Sequence, residues 1–183
     1  ADGWEIIAVE EKKELQLGGM TLVGRIDRID RHRRSGMLRI IDYKTGEKAK
    51  DPATAHLGRA SGHTPPYALT RIGGKEKAWH DLQLPLYLHM LADLAATATG
   101  CQIAYWVLPK AVSETALLPW EDFDDTLLVS AFACARGILQ DIADRVFWPP
   151  AASPTHDDFA ELFTGPPELC FRIPDWFRTR EDR

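Results

Sequence analysis

The chain has 183 residues, 45% hydrophobic and 27% charged, with a formal net charge of −5. That describes an ordinary globular protein with enough chain for one real core. It argues against a general nucleic-acid sponge but leaves room for a local basic site, because the local field matters more than the total. No apolar run reaches the roughly 18 residues of a membrane span, so no membrane partner is expected.

The start, "ADGWEIIAVEEKK", is neither a signal nor a transit peptide. It lacks an initiator Met and reads as a piece cut from a longer protein just before a strand. Residues 3 to 10 have strand character. "LGGM" (17 to 20) is a turn, with Gly18 and Gly19 supplying permissive backbone. "TLVGRIDRID" (21 to 30) predicts a second strand, "RHRRSG" (31 to 36) a polar turn and "MLRIIDYK" (37 to 44) a third strand, so the chain opens as an antiparallel meander.

Residues 46 to 78 are rich in Gly, Pro, Ala and charge and show no clear period. They read as a long, mobile surface loop, of the kind that often serves as a lid or binding loop. "WHDLQLPLYLHMLADLAATATG" (79 to 100) predicts a helix with Asp81 as N-cap, Pro85 near the first turn and Gly100 at its end. "CQIAYWVLP" (101 to 109) predicts a short apolar strand closed by Pro109, and residues 119 to 147 a second long helix. The Pro-rich remainder is irregular apart from a short helix near 157 to 163. Strands followed by helix, strand and helix indicate a mixed α/β sheet flanked by helices, with strands three and four parallel neighbours. All 183 residues are expected to form a single domain.

Cys101, Cys134 and Cys170 are far apart and form no C-x-x-C pair, which disfavours a zinc ribbon. A sparse, odd set fits a reducing cytoplasm, and the plain reading is three buried or inert thiols.

The chemistry gathers near "LRIIDYKTG" (38 to 46). Side chains alternate along a strand, so Ile40, Asp42 and Lys44 share one face, and Asp27 shares a face with Arg25 and Ile29. If Asp30 pairs with Met37, Asp27 lies opposite Ile40, and Asp27, Asp42 and Lys44 come together. A slip of one residue would separate them. Two carboxylates beside a lysine suit a hard divalent cation such as Mg²⁺, with the backbone carbonyl of Tyr43 as a further oxygen. Such an ion activates water for attack on phosphorus, and Lys44 would stabilise the phosphate. The alternative is a plain Asp–Lys ion pair at a strand end, since Asp-x-Lys alone is common.

"GRIDRID" (24 to 30), "IIDYKTG" (40 to 46) and "QLPLY" (83 to 87) together resemble the PD-(D/E)xK nuclease superfamily, and within it the RecB/AddB branch of helicase–nuclease machines. The resemblance covers about residues 21 to 91. It implies a restriction-endonuclease-like fold and metal-dependent (Mg²⁺ or Mn²⁺) DNA hydrolysis. Asp27 and Asp42 would be metal ligands, Lys44 the catalytic lysine, and Gln83 and Tyr87 the supporting pair, which share a helix face at i and i+4. It further implies single-stranded DNA as substrate and helicase-like regions of the same chain or a partner subunit as neighbours. Many members place a metal-ligating histidine before the first strand, whereas here no His precedes His32. Relatives with an iron–sulfur cluster use three cysteines near the C-terminus, where this chain has only Cys170, so no cluster is expected. The crowding of Arg25, Arg28, Arg31, Arg33, Arg34 and Arg39 either tracks a phosphate backbone, with Arg25 and Arg28 touching DNA, or forms a solvated hairpin in which Arg28 and Arg31 pair with Asp30 and other acids. Trp79, at the junction of loop and helix, is the best candidate to stack a base. His63 and His80 read as surface residues.

Overall fold

The computed structural model describes residues 3–46 and 50–146. The chain divides after Gly137 into two units, and the account below concerns the first. In chain order the elements are β1 (Trp4–Leu17), β2 (Met20–His32), β3 (Leu38–Lys44), α1 (Pro52–His56), β4 (Leu57–Arg59), β5 (Leu69–Ile72), β6 (Lys75–Trp79), α2 (Gln83–Met90), α3 (Ala92–Ala95), β7 (Cys101–Val107), β8 (Ala116–Pro119) and α4 (Asp125–Ala143). The main sheet has the order β1-β2-β3-β7-β8. Only β3 and β7 run parallel, with Leu38 opposite Cys101 and Lys44 opposite Val107. This is the expected mixed sheet with its opening meander.

Gly18 and Gly19 both have positive φ, 58° and 76°, which suits the two-residue turn that joins Leu17 to Met20. The β2–β3 hairpin pairs Asp30 with Arg39 and Ile29 with Ile40. That is two residues away from the expected pairing of Asp30 with Met37. A shift of two keeps every side chain on its face, so the face assignments survive although the partners change.

One face of the sheet carries the core. Ile29, Leu38, Ile40, Ile103, Tyr105 and Val107 pack with Leu84, Tyr87 and Leu91 around α2, with Trp79 and Trp120, and with Leu127, Ala131 and Cys134 of α4. α4 is long and apolar enough to cross a membrane by length and composition alone. However, its buried residues recur at the helical spacing of Leu127, Ala131, Cys134 and Ala135, the stripe of a helix packed on a sheet.

Residues 46 to 78 depart from the expected loop. Their described part folds into α1 and a second sheet of order β4-β6-β5. Asp51 caps α1 through Thr54 N at 2.9 Å, with Pro52 following it. Gly73 and Gly74, with φ of 55° and 76°, turn β5 into β6. The strands are only three to five residues long, too short to show a period-two pattern. They are fixed instead by burial of Leu57, Ala68, Ala78 and Trp79. Trp79 therefore ends a strand rather than starting the helix, and α2 begins at Gln83. β8 was not anticipated, and α4 starts at Asp125 rather than 119. The irregular tail and short helix expected beyond residue 147 lie outside the described residues.

α2 approaches the sheet where β2 offers Gly24. A Cβ there would lie 2.8 Å from Met90 Sδ and 3.1 Å from Tyr87 Cε1, so a larger residue forces the Met90 and Tyr87 side chains to move. Gly24→Val is expected to lower unfolding free energy by about 1–3 kcal/mol through overpacking, read from urea denaturation.

Candidate active site

β1 and β2 change face together at one point. Burial along β2 falls on even positions from Met20 to Ile26 and then moves to Ile29, while along β1 it falls on odd positions from Glu11 to Leu17. The pairs Val9–Arg28 and Glu11–Ile26 set Glu10 opposite Asp27, and Glu10 has a positive φ of 51°. A non-glycine residue in that region is uncommon and marks local strain. The kink separates Arg25 from Asp27. Ile26 points into the core, and Arg25 points out, its side chain 68% exposed and 3.6 Å from the Glu10 carboxylate.

The β2–β3 ladder stops at Arg28–Ile41. The next main-chain donor due on β3, Tyr43 N–H, is taken by the Asp27 side chain at 2.7 Å. N–H and C=O of one strand residue point to the same side, so the Tyr43 carbonyl is directed toward β2 as well. Asp42, continuing the register, faces Asp27 and is only 3% exposed.

Lys44 Nζ lies 2.7 Å from Asp42 Oδ2. Asp42 Oδ2 is buried, and Lys44 faces it as an ion pair. Lys44 also donates to Gln83 Oε1 at 3.0 Å, and its ammonium sits 4.7 Å from the Tyr105 ring centre. Gln83 Nε2 donates to the Tyr87 hydroxyl at 3.0 Å, which donates to the Arg25 carbonyl at 2.7 Å. Asp81 accepts the Gln83 N–H at 2.7 Å, capping the helix from one residue further out than a standard N-cap.

Burial raises the Asp42 pKa. Lys44 pulls it back down, and the nearby carboxylates of Asp27 and Asp81 push it up further. Burial likewise raises the Tyr87 pKa. A buried carboxylate beside further carboxylates is the environment a cation would relieve. The donor set is two carboxylates and a main-chain oxygen. Among the described residues no group of three or more His, Cys, Asp or Glu side chains has metal-binding spacing.

Asp27, Asp42, Tyr43, Lys44, Gln83 and Tyr87 are thus brought together. Arg25 enters only through its carbonyl. Arg28 is on the other face, where it grips Asp30 through two bonds of 2.7 and 2.9 Å and lies over the Trp106 ring at 4.7 Å. Its neighbours are engaged too: Arg33 meets Glu5 at 3.3 Å, and Arg39 meets Gln102 at 2.6 Å and stacks on Trp4. Arg28 thus pairs with Asp30 as the second alternative for the hairpin expects, whereas Arg31 Nε is buried without a hydrogen-bond partner among the described residues. Trp79 is buried and bonds Ser130 Oγ at 3.0 Å, so it belongs to the core rather than to a base-stacking surface. His63 and His80 are exposed as expected. Cys134 is buried and Cys101 exposed, both free, and Cys170 lies outside the described residues.

Two further residues lie near the site that motif spacing does not reveal. Glu10 is one, and the break in alternation within "GRIDRID" was its signal. His56 is the other, a fully buried histidine in a stretch with no visible period.

A sequence profile of the PD-(D/E)XK nuclease superfamily matches residues 1–162. The chain therefore belongs to the PD-(D/E)XK nuclease superfamily, and its mixed sheet flanked by helices is the restriction-endonuclease-like fold. No curated protein sequence matches it. Seven chains of solved structures match. One, described as the crystal structure of SSO0001, is 20% identical with a TM-score of 0.34, over 75% of this chain and 50% of that one. The chain thus spans half the length of that structure.

Two outcomes test this geometry. Arg28→Ala leaves the Asp30 carboxylate, 1% exposed, buried without its partner. It is expected to cost about 3–5 kcal/mol of stability, read from urea denaturation. The Asp42 pKa is higher in the folded than in the unfolded chain, so the folded state binds the extra proton. In metal-free buffer, stability is therefore expected to fall as pH rises from about 4 through the raised folded value, and Asp42→Asn should flatten that slope in denaturation midpoints.

Proposed function

We propose that the chain is a metal-dependent deoxyribonuclease domain of RecB/AddB type. In this reading Asp27, Asp42 and the Tyr43 carbonyl hold Mg²⁺ or Mn²⁺, and Lys44 is the catalytic lysine. The observation that carries it is the meeting of Asp42 and Lys44 at 2.7 Å, with Lys44 held by Gln83 of the motif helix. When bound, the cation would polarise the phosphate and lower the pKa of a water nucleophile.

The protein's own groups prepare the rest. Lys44 places a positive charge where negative charge develops on the scissile phosphate. Gln83 and Tyr87 hold that ammonium by fixed hydrogen bonds, so little reorganisation is needed when the substrate arrives. Asp27 binds the Tyr43 N–H with one oxygen, leaving its other oxygen for the cation. The substrate we infer is single-stranded DNA degraded as an exonuclease during recombination or double-strand-break repair, delivered by helicase-like regions of the parent protein or a partner, in the cytoplasm. What supports this finer reading is the order and spacing of the three motifs.

End-labelled single-stranded DNA incubated with Mg²⁺ or Mn²⁺ tests it. Wild-type protein is expected to cut, with Asp42→Ala and Lys44→Ala reduced at least about 10³-fold. The cation should raise the melting temperature of wild type but not of Asp42→Ala. DNA binding that survives EDTA, with no cut under any metal, would instead make this a silent nuclease-fold module that holds DNA or bridges subunits.

A further inference from the structure

We propose that His56 is a positioning residue for Lys44, acting as a neutral imidazole with its proton on Nδ1 and fixing both the helix that carries Gln83 and the ring beneath the lysine. This rests on the reading of Lys44 as the catalytic lysine.

His56 ends α1, on the insertion between β3 and α2. Its side chain is 0% exposed and packs against Trp120 at 5.0 Å between ring centres. Each ring nitrogen has a defined partner. Nε2 lies 3.3 Å from Leu84 N. A main-chain N–H can only donate, so Nε2 must be the bare acceptor. Nδ1 lies 3.0 Å from the Pro52 carbonyl, which can only accept, so Nδ1 carries the proton. The Tyr105 hydroxyl, 3.1 Å from Nδ1, therefore accepts a share of that proton and keeps its own hydrogen for another partner. Asp81 is the acid facing the ring, at 3.9 Å from Nε2, and Lys44 is the nearby cation. Burial lowers the His56 pKa and Asp81 only partly offsets it, in keeping with a neutral ring.

The two partners lead to the same lysine. Leu84 N–H is one of the orphan donors of the first turn of α2, and Gln83, one residue before it, accepts from Lys44. The main chain of His56 adds to this grip, since its carbonyl accepts His80 N at 2.8 Å and Asp81 N at 3.3 Å. On the other side, Tyr105 is the ring under the Lys44 ammonium. His56 thus does for the start of α2 what a capping side chain would do, and at the same time holds the floor of the lysine. A displaced Gln83 or Tyr105 lets Lys44 swing away from the phosphate without removing any group that touches substrate.

His56→Gln and His56→Leu separate this role from simple packing. A Gln side chain still offers an oxygen to the Leu84 N–H, and a Leu offers nothing. The Leu variant is expected to lose about 10- to 100-fold in kcat with KM little changed, and the Gln variant to regain much of it. ¹⁵N spectra of the wild type should show an unprotonated Nε2. The Lys44 ε-methylene resonances, shifted by the Tyr105 ring, should move toward free-lysine values in His56→Leu and less in His56→Gln. A protonated Nε2, or unchanged Lys44 resonances and kcat in a folded variant, would overturn the proposal. Should His56→Leu fail to fold, the wild-type tautomer and the Gln variant decide. A wild type that cuts no DNA under any metal would sink the nuclease reading, while the tautomer and the Lys44 resonances would still judge the positioning.

Discussion

The bond from Tyr43 N–H to the Asp27 carboxylate is the constraint on which the rest of the site depends. A sheet edge that opens leaves main-chain donors and acceptors without partners, and a buried one left unpaired costs about as much as a lost hydrogen bond. β2 and β3 part just past Arg28–Ile41, and Asp27 closes the gap with its side chain in place of a ladder bond. The parting leaves the Tyr43 carbonyl directed toward β2 past the last ladder pair, on the side of the Asp27 carboxylate. The face switch at Glu10 and Asp27 lets β2 bury Ile26 on one side of this point and Ile29 on the other while Asp27 stays at the seam. A regular strand could not present both isoleucines and the aspartate in this way.

Electrostatics makes the site costly to keep. Asp42 is almost wholly buried, with Lys44 only partly offsetting the cost of its charge. The fold pushes the Asp42 pKa up rather than down, so in the metal-free protein the charged form weakens folding at neutral pH. A strand end built only for stability would hold an apolar residue there. In the proposed reading, the acid beside a lysine fixed by Gln83, Tyr87 and the Arg25 carbonyl in series is a group kept for function at the expense of stability. Gly24 belongs to the same design, because its lack of a side chain leaves room for those of Met90 and Tyr87.

Much of this was legible in the sequence. The meander and the parallel pair follow from alternation and turn chemistry, while the roles of Gln83 and Tyr87 enter only through the resemblance of the three motifs to the superfamily. The clustering of Asp27, Asp42 and Lys44 was reached through a register two residues off, which succeeded because only odd slips exchange the faces. Uniform alternation through "GRIDRID" puts Arg25 on the Asp27 face, but burial breaks step there and Arg25 points outward. Arg28 has a bidentate acid two residues away on the same face, a competition that clustered charge alone cannot reveal. Trp79 was assigned by its neighbourhood in sequence, but its size made burial the stronger claim.

The insertion between β3 and α2 is the instructive miss. The Gly73-Gly74 pair was a usable hairpin signal, but strands of three to five residues give no alternation, and what fixes them is contact with distant parts of the chain. Leu57 and Trp79 join the sheet core, Trp79 bonds α4, and His56 reaches the first turn of α2. A parallel β3–β7 pair requires a crossover, and this protein puts the extra length of that crossover to structural use. The insertion returns the chain to the start of α2 already anchored, so the helix that holds Lys44 is located by packing at its N-terminus as well as along its face. Its order is therefore a condition for the order of the lysine, which a structureless surface loop could not provide.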